Sequence, residues 1–365
     1  MKILYITPKI NNEGGVARVL SEKTSYLITN LGYQVGIITQ NDGNNPLFFD
    51  FNEKINLFDI KLKGNIFSFI YSYKKQIETV IKNFKPDCIV ITDNGLKGFL
   101  FNYFVKTTIP VYIEIHGSKF NFQKERKKNT FNNIIFKLHV FLRQKGIKKF
   151  SKAIFLSEES KSEWEINKYE IIPNSSWIKT QEFSSCEHKK VICIARNSYE
   201  KGLDRLLPVW KKVTDKNPDW ELLLYSEKEG YFDLDNLILK NDLSKNVRIL
   251  NFEKNILNSY LESSIYLMTS RDEGMPMVLI EAMSVGLPII AFDCPIGPKS
   301  LIENNVNGFL VKDNDLEDFA HKIIQLIDDI DLRKEFGKNS KLLSRKYNSD
   351  DVLSKWKTFF EHIEV

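Results

Sequence analysis

The feature that most constrains the fold is a series of twelve short apolar runs, most of them rich in β-branched residues. Each run is followed by a loop and then by a longer segment with helical periodicity. Continuous rather than alternating hydrophobicity is typical of strands that are buried on both faces of a parallel sheet. The runs fall into two sets of six, which predicts an α/β protein of two doubly wound domains. The predicted strands are Lys2–Ile6, Gln34–Thr39, Cys88–Thr92, Val111–Ile115, Ala153–Leu156 and Glu170–Ile172, followed by Val191–Ala195, Glu221–Tyr225, Val247–Leu250, Ser264–Met268, Pro288–Phe292 and Gly308–Val311.

The length agrees with this division, since 365 residues accommodate two domains of ordinary size. The strand–helix alternation stops at PNSSWIKTQEFSSCEHK, which predicts a first domain over 1–172, a linker over 173–189 and a second domain over 190–349. Segment 350–363 has apolar residues at helical spacing. We expect this C-terminal helix to complete the first domain.

Composition excludes several classes of protein. Hydrophobic residues make up 42% and charged residues 27% of the chain, as in an ordinary globular protein, and a net charge of +5 is too small for a dedicated nucleic-acid binder. The four cysteines form no CxxC pair and the five histidines are scattered, so neither a disulfide framework nor a structural zinc site is expected. The N-terminal apolar run is too short for a signal peptide, and no run reaches the length of a membrane-spanning helix. We expect a cytoplasmic protein.

Positive charge is concentrated between Lys119 and Lys152, which hold eleven basic residues against the single acid Glu125. An apolar helical stripe runs beside these cations and consists of Phe131, Ile134, Ile135, Leu138, Phe141 and Leu142. A basic, amphipathic helix is typical of a segment lying on an anionic membrane surface. An amphipathic core helix with a solvated lysine face explains the same pattern. Nucleic-acid binding is not expected, because no pattern of stacking aromatic residues accompanies the charge.

Two glycines, Gly14 and Gly15, follow the first predicted strand and open a helix. Glycines at a helix N-terminus let the backbone N–H groups approach an anion beside the positive end of the helix dipole. The spacing does not match the GxGxxG dinucleotide-binding motif, and a plain tight turn is the alternative reading.

Two cations follow the first strand of the second set. Arg196 comes directly after this strand and Lys201 lies five residues later, before a predicted helix. Open α/β sheets bind ligands at the carboxyl ends of their strands, and this pair suits a diphosphate, with Arg as a planar fork and Lys as a point charge. Ordinary loop cations remain the alternative.

The strongest local motif is SRDEGMPMVLIEAMSVGLP, which begins at Ser270. Glu273 lies in a loop, Gly274 is predicted to permit a sharp turn, and Pro276 suits the first turn of a helix that carries Glu281. An ionised carboxylate accepts several hydrogen bonds, so two carboxylates near a helix N-terminus can bind the vicinal hydroxyls of a sugar.

Taken together, these motifs resemble those of the retaining glycosyltransferases of family 4. The resemblance covers nearly the whole chain and is most specific at Glu273 and Glu281, with the spacing Glu-x7-Glu. It continues through FDCPIGPKSLIENNVNGFLV, ARNSYEKGLDRLL, IIPNSS, the Gly14–Gly15 pair and a His116-Gly117 pair after the fourth predicted strand. Such enzymes have the GT-B fold, in which two Rossmann-like domains face each other across a cleft.

The resemblance implies a role for each matching residue. Arg196 and Lys201 would bind the diphosphate of a nucleotide sugar, which the Gly14–Gly15 backbone would approach from the other domain. Glu281 would bind the ribose. The hydroxyls of the donor sugar would be held by Glu273 and the backbone of the residues that follow it, Gly274, Met275, Pro276 and Met277. His116 would face the reacting sugar.

The implied reaction is the transfer of a sugar, with retention at the anomeric carbon, from a nucleotide diphosphate sugar to an acceptor hydroxyl. No metal and no cofactor are expected. The stretch Cys294–Pro298 is similar to that of bacterial enzymes that build surface polysaccharides such as capsule or lipopolysaccharide, which suggests a UDP-hexose or UDP-N-acetylhexosamine donor and a glycan or polyprenyl-linked acceptor. The basic segment Lys119–Lys152 would then hold the enzyme at the inner membrane surface. A GT-B nucleotide-sugar epimerase and a catalytically silent glycan-binding homologue are the alternative functions.

Overall fold

The computed structural model describes residues 1–43, 45–120 and 130–363. The chain forms two compact units, of which the first consists of Met1–Asn174 with Asp350–Val365 and the second of Ser175–Ser349. Of the predicted linker 173–189, the residues from Ser175 onward therefore belong to the second unit.

The first unit contains a parallel sheet with the strand order β3-β2-β1-β4-β5-β6-β7. Its strands are β1 (Lys2–Ile6), β2 (Gln34–Gln40), β3 (Asn56–Ile60), β4 (Cys88–Ile91), β5 (Val111–Ile115), β6 (Lys152–Phe155) and β7 (Tyr169–Ile171). Its helices are α1 (Gly15–Thr29), α2 (Ile66–Phe84), α3 (Leu96–Phe99), α4 (Phe101–Phe104), α5 (Thr130–Ile147), α6 (Glu158–Ser162) and the C-terminal helix, which is α13 (Ser349–Glu361).

The second unit contains a parallel sheet with the order β10-β9-β8-β11-β12-β13. Its strands are β8 (Lys190–Ile194), β9 (Glu221–Tyr225), β10 (Val247–Leu250), β11 (Ile265–Met268), β12 (Ile289–Asp293) and β13 (Gly308–Lys312). Its helices are α7 (Leu203–Thr214), α8 (Leu234–Lys240), α9 (Leu257–Leu261), α10 (Met277–Ser284), α11 (Leu316–Asp328) and α12 (Ile330–Ser344). Short 3₁₀ turns occupy Tyr199–Lys201, Pro298–Ser300 and Arg345–Tyr347.

Both faces of the first sheet are buried, as its continuous hydrophobic strands require. On β1, Leu4 and Ile6 belong to a core that includes residues of α2 and α5, whereas Ile3 and Tyr5 belong to a core on the other face. The second core also contains residues of α1 and α13, among them Trp356. The C-terminal helix therefore packs as a layer of the first unit.

The core of the second unit joins strands β8, β9, β11 and β12 to the apolar faces of α7 and α11. Its largest fully buried side chain is Trp210 of α7, whose indole N–H donates to the Asn246 carbonyl at 3.0 Å.

The prediction of an α/β protein with two parallel sheets is confirmed, and each of the twelve predicted strands is present within one residue at either end. The structure adds β3, which the sequence analysis missed. This strand pairs only with β2, at the edge of the sheet, and its residues Asn56 and Leu57 are exposed.

Candidate functional site

The strand order of the second unit places its predicted ligand-binding loops side by side. Strand β8 lies between β9 and β11. The sheet therefore grows from β8 to β9 and β10 on one side and, after the chain crosses back, to β11, β12 and β13 on the other side. The carboxyl ends of β8 and β11 are neighbours. A doubly wound sheet binds ligands at such a topological switch point. Arg196 follows β8 and Glu273 follows β11, which puts both at this edge.

Lys201 and Glu273 form an ion pair at the switch point, with 2.7 Å between Lys201 Nζ and Glu273 Oε1. The Lys201 side chain is 20% exposed and that of Glu273 is 8% exposed, so the pair is only partly accessible to water. The loops approach each other closely because residue 202 is a glycine. Gly202 has a φ of +65°, and a Cβ atom there would lie 2.2 Å from the Thr269 carbonyl oxygen.

Arg271 fastens the same two loops together. Its guanidinium donates to both carboxylate oxygens of Asp204, at 2.8 and 2.6 Å, and to the Tyr199 carbonyl at 2.8 Å, while its backbone N–H donates to the Glu200 carbonyl at 2.6 Å. Bidentate pairs between Arg and a carboxylate fix geometry as well as adding energy. Lys201 is therefore held at a defined place opposite Glu273.

Arg196 differs from Lys201 and Arg271, whose side chains are both paired with carboxylates. Its side chain is exposed and makes no hydrogen bond or ion pair with any residue that the structure describes. A solvated guanidinium beside the switch point keeps its fork of donors available to an anion.

Glu281 is buried on α10, and its two carboxylate oxygens have different partners. Oε1 accepts a hydrogen bond from the Trp177 indole at 2.7 Å, and Oε2 accepts one from the Tyr260 hydroxyl at 2.8 Å. Burial, followed by the charge of Glu281, raises the pKa of Tyr260 well above its usual value, so this hydroxyl remains a donor. The sequence analysis missed Trp177 and Tyr260, and no local motif points to either residue.

The loop between Glu273 and α10 is packed against the segment around Gly297. That glycine has a φ of +106°, and a Cβ atom there would lie 2.9 Å from the Gly274 carbonyl oxygen and 3.0 Å from Glu273 Cβ. The backbone bends at Gly274, and the positive φ in this part of the site belongs to Gly297. Pro276 is the N-cap of α10 rather than part of its first turn.

Of the residues predicted to contact the donor through their backbone, Met275 and Met277 have buried side chains. Buried side chains anchor the loop to the domain core. No side chain caps the N-terminus of α10, and the N–H group of Leu279 in its first turn donates to the Pro276 carbonyl at 3.1 Å.

In the first unit, Gly14 and Gly15 lie between β1 and α1, at the carboxyl end of the sheet. Gly14 is the N-cap, its N–H donates to Asn12 Oδ1 at 2.8 Å, and a Cβ atom there would lie 2.6 Å from that oxygen. No side chain caps α1 and no acid lies in its first turn. The structure thus places an uncapped helix N-terminus here, as an anion-binding loop requires.

His116 follows β5 and is held by buried polar neighbours. Its backbone N–H donates to Asn94 Oδ1 at 2.5 Å, and its Nε2 lies 3.2 Å from Glu114 Oε2. The other oxygen of Glu114 forms a 2.5 Å ion pair with Lys23 of α1. The sequence analysis did not identify Glu114 or Lys23.

The basic segment is only partly a surface feature. Lys119 and Arg143 are buried: Lys119 Nζ donates to Gln144 and to the Glu163 carbonyl, and Arg143 donates to the carbonyls of Lys119 and Asn94. The prediction that these two cations belong to an exposed basic stripe is wrong, because both are used to fasten α5 and its flanking loop to the domain. Lys124, Glu125, Arg126, Lys127 and Lys128 lie outside the described residues, as does the side chain of Phe131.

The apolar stripe of α5 is exposed in its middle. Ile134, Leu138 and Phe141 are each more than half exposed, and Lys137 and Lys145 are exposed beside them. Within the described ranges, no helix is both long and apolar enough to cross a membrane. In the same part of the chain, no cluster of three or more His, Cys, Asp or Glu side chains is arranged to hold a metal ion.

Comparison with known proteins gives a consistent result. The family model of the glycosyl transferases group 1 matches residues 177–343, which include Arg196, Lys201, Glu273 and Glu281. An uncharacterized glycosyltransferase of Haemophilus influenzae is 30% identical over 362 residues, covering 98% of this chain and 99% of the relative. The amylovoran biosynthesis glycosyltransferase AmsD of Erwinia amylovora is 28% identical over 97% of this chain and 98% of its own length.

Solved structures share the fold over the whole chain. A variant of S. aureus TarM in complex with fondaparinux, alpha-GlcNAc-glycerol and UDP superimposes with a TM-score of 0.75 at 16% identity, covering 98% of this chain and 99% of TarM. Anabaena HepE in complex with UDP and glucose gives a TM-score of 0.74 at 17% identity, covering 100% of both chains. Together with the near full-length similarity to the Haemophilus relative, the family match shows that this chain belongs to the group 1 glycosyltransferases, with the two-domain α/β architecture of the GT-B fold.

Proposed function

We propose that the chain is a retaining glycosyltransferase of family 4 that transfers a sugar from a UDP-sugar to a hydroxyl of a surface glycan or lipid-linked acceptor. The observation that carries the proposal is the Lys201–Glu273 ion pair at the switch point of the second sheet, with Arg196 beside it. On this proposal, the cation that binds the phosphates is in contact with the carboxylate that accepts hydrogen bonds from the sugar hydroxyls.

The cations stabilise the leaving group. As the bond between the anomeric carbon and the diphosphate breaks, negative charge accumulates on the diphosphate oxygens, where fixed positive charges lower the barrier. Lys201 is already held by Glu273 and its loop by Arg271, so little reorganisation is needed at the moment of reaction. We therefore propose a reaction that requires no metal ion or other cofactor, and activity that persists in a chelator tests this point.

The carboxylates orient the donor. The hydrogen bonds that Glu281 accepts from Trp177 and Tyr260 hold its carboxylate in one orientation, and a carboxylate can accept several hydrogen bonds at once. We assign Glu281 to the ribose hydroxyls, and Glu273 Oε2 to a hydroxyl of the transferred sugar. His116 is assigned to the reacting sugar, and Gly14 and Gly15 to the diphosphate.

The donor and acceptor classes are proposed from the relatives. The TarM and HepE structures contain UDP, and AmsD is named for the biosynthesis of amylovoran. These names support a UDP-sugar donor and a role in polysaccharide biosynthesis.

Titration calorimetry with UDP, GDP and ADP in the presence of EDTA tests the donor site. We expect selective binding of UDP. Replacing Glu281 with Gln should weaken UDP binding by about 10- to 150-fold, because a hydrogen bond to a charged group contributes about 1.5–3 kcal/mol. The control is Lys212→Met, which removes a half-exposed cation of α7 that pairs with Glu317. Unchanged affinity in Glu281→Gln would contradict the ribose assignment.

The same samples distinguish the alternatives. A chain that binds none of the nucleotides at millimolar concentration is a silent homologue. A chain that converts its donor into another nucleotide sugar without an acceptor is an epimerase. A transferase releases UDP in proportion to glycosylated acceptor.

We also propose that α5 holds the enzyme at an anionic membrane. Ile134, Leu138 and Phe141 recur along one face of the helix at spacings of four and three residues, and exposed lysines flank them. Each apolar side chain that leaves water contributes favourable free energy, and nearby lysines add about 1 kcal/mol each at an anionic surface.

Sedimentation with phosphatidylglycerol-containing vesicles tests the membrane proposal, with phosphatidylcholine vesicles for comparison. We expect the wild type to sediment with the anionic vesicles, and the triple variant Ile134→Ser/Leu138→Ser/Phe141→Ser to remain in the supernatant. A matched control replaces three exposed apolar residues of the second unit, Leu239, Ile330 and Leu342, with Ser. Equal sedimentation of the two triple variants would refute a specific role for α5.

A further inference from the structure

A chain of buried charged groups leads from His116 into the interior of the first unit. His116 Nε2 lies 3.2 Å from Glu114 Oε2, and Glu114 Oε1 lies 2.5 Å from Lys23 Nζ. The Lys23 ammonium lies 3.9 Å from the ring centroid of Trp356, on the C-terminal helix, and 5.0 Å from that of Tyr5. Glu114 and Lys23 have side chains that are 1% and 2% exposed, so water does not screen their interaction.

Three separate segments of the chain supply these groups. Glu114 is the penultimate residue of β5, His116 is in the loop after it, Lys23 lies two turns into α1, and Trp356 belongs to α13. Helix α1 is also the helix whose N-terminus carries Gly14 and Gly15. The buried pair therefore connects the His116 loop to the helix that presents the predicted phosphate-binding backbone.

We propose that Glu114 and Lys23 are positioning residues for His116, and that Trp356 holds Lys23 in place from the C-terminal helix. This inference rests on the proposed role of His116 at the reacting sugar. The 3.2 Å contact brings Glu114 Oε2 to the Nε2 side of the imidazole, so we assign the proton of the neutral ring to Nε2 and the substrate-facing position to Nδ1. Nδ1 then accepts a hydrogen bond from a sugar hydroxyl.

The charge state of Glu114 supports this arrangement. Burial acts to raise the pKa of Glu114, but the nearby Lys23 ammonium and His116 imidazole outweigh it and lower the pKa below its usual value. The side chain therefore stays a carboxylate, which is an acceptor only, and it can fix the imidazole proton on the nitrogen that faces it.

A double substitution separates positioning from stability. Replacing Lys23 alone with Met removes the ammonium partner of a buried carboxylate and should destabilise the fold strongly, whereas replacing a buried ion pair with apolar residues is often neutral. The double variant Lys23→Met/Glu114→Leu should therefore regain stability over Lys23→Met. It should still lose about 10- to 100-fold in kcat with little change in the donor KM, because His116 is no longer oriented.

Leu20→Ala is the matched control. Leu20 is buried on α1, three residues from Lys23, and packs in the same core as Trp356. Its truncation should lower the denaturation midpoint and leave kcat near the wild-type value. If the double variant retains wild-type kcat, or if the loss in Leu20→Ala matches that of the double variant, the positioning role is refuted.

Nitrogen NMR of the chain labelled at histidine gives a readout that does not depend on activity. The His116 signal, assigned by its disappearance in His116→Gln, should report a proton on Nε2 in the wild type and lose this preference in Glu114→Gln. A proton on Nδ1 in the wild type, or an unchanged tautomer in Glu114→Gln, would overturn the inference. If the tautomer shifts as expected but His116→Gln retains full kcat, the proposed role of His116 has failed, and the positioning role falls with it.

Discussion

Replacing Gly297 with Ala tests whether the segment around Gly297 sets the position of Glu273. Gly297 has a φ of +106° and a ψ of −72°, a combination that only glycine adopts freely. The added Cβ atom would lie 2.9 Å from the Gly274 carbonyl oxygen, 3.0 Å from Glu273 Cβ and 3.1 Å from Pro276 Cδ. Two of these three contacts are made by backbone or ring atoms, so the clash cannot be relieved by rotating a side chain.

The expected loss of stability has two parts. Forcing an L-residue into this region costs about 1–3 kcal/mol. Crowding a packed site costs about 1–3 kcal/mol more, and it displaces the Glu273 loop by a few tenths of an ångström. Misplacement of that order should lower kcat/KM for the donor about tenfold or more, since a 1 Å error can cost about 100-fold.

The assay is urea unfolding followed by tryptophan fluorescence, with UDP release measured on the same samples. Two alanine variants provide controls. Gly32 has a φ of +66° with no atom within 4 Å of a new Cβ atom, and Gly286 has a φ of +74° with its nearest contact at 3.2 Å. Both should lose about 1–2 kcal/mol and keep their activity. The reasoning is wrong if Gly297→Ala is no less stable than Gly32→Ala and turns over its donor at the wild-type rate.

Three further results are expected. Lys201→Met should lower kcat/KM at least tenfold, because it removes a phosphate-binding cation and leaves Glu273 without its partner, and Lys201→Arg should recover part of the loss when UDP release is measured. Partial burial acts to raise the pKa of Asp59, but Lys61, the N–H groups of Asp42 and Gly43, and Thr39 together lower it to about 2. The unfolded carboxyl titrates near 3.8, so the stability contributed by Asp59 is complete above about pH 4 and is lost as the pH falls toward 2. Urea midpoints of the wild type and Asp59→Asn should therefore differ at pH 6 and converge near pH 2. The cysteines should not react with a thiol reagent in the native protein, because Cys88, Cys186, Cys193 and Cys294 are buried, and burial raises the pKa of Cys88 and Cys193 to about 12.

The strands could be predicted because both faces of each sheet are covered. A strand between two helical layers is apolar at most positions, and that requirement leaves a signal that is independent of the rest of the fold. Strand β3 was not predicted because it lacks this burial. It lies at the edge of the sheet, its first residues are exposed, and its sequence NLFDI mixes polar and apolar residues instead of forming an apolar run.

The site residues could be predicted only where residues that act together are close to each other in the sequence. Glu273 and Glu281 stand eight residues apart around a helix start, which a motif can capture. The partners of these carboxylates are distant in sequence, since Lys201 is 72 residues from Glu273 and Trp177 is 104 residues from Glu281. The same holds in the first unit, where Lys23 is 91 residues from Glu114. Crossover connections bring these residues together, so no local pattern records the contact.

The basic segment was predicted from a count of charges, and the prediction was wrong at Lys119 and Arg143 because these side chains are buried. A sum over sequence treats every cation as solvated, but the long side chains of Lys119 and Arg143 reach carbonyl oxygens in the interior. Burying a cation among carbonyl acceptors costs less than burying it unpaired, so such residues can fasten loops instead of forming a surface.

One principle connects the three carboxylates on which the proposals depend. Glu273 is held by Lys201, Glu281 by Trp177 and Tyr260, and Glu114 by Lys23. In each case the donors come from a distant segment of the same unit, so the carboxylate is oriented when that unit folds. Orienting these groups in water would require solvent reorganisation at every turnover, whereas a preorganised group acts without that penalty. Removing the donor should therefore impair function as severely as removing the carboxylate itself, and comparing Lys201→Met with Glu273→Gln, and Lys23→Met with Glu114→Gln, measures that equivalence.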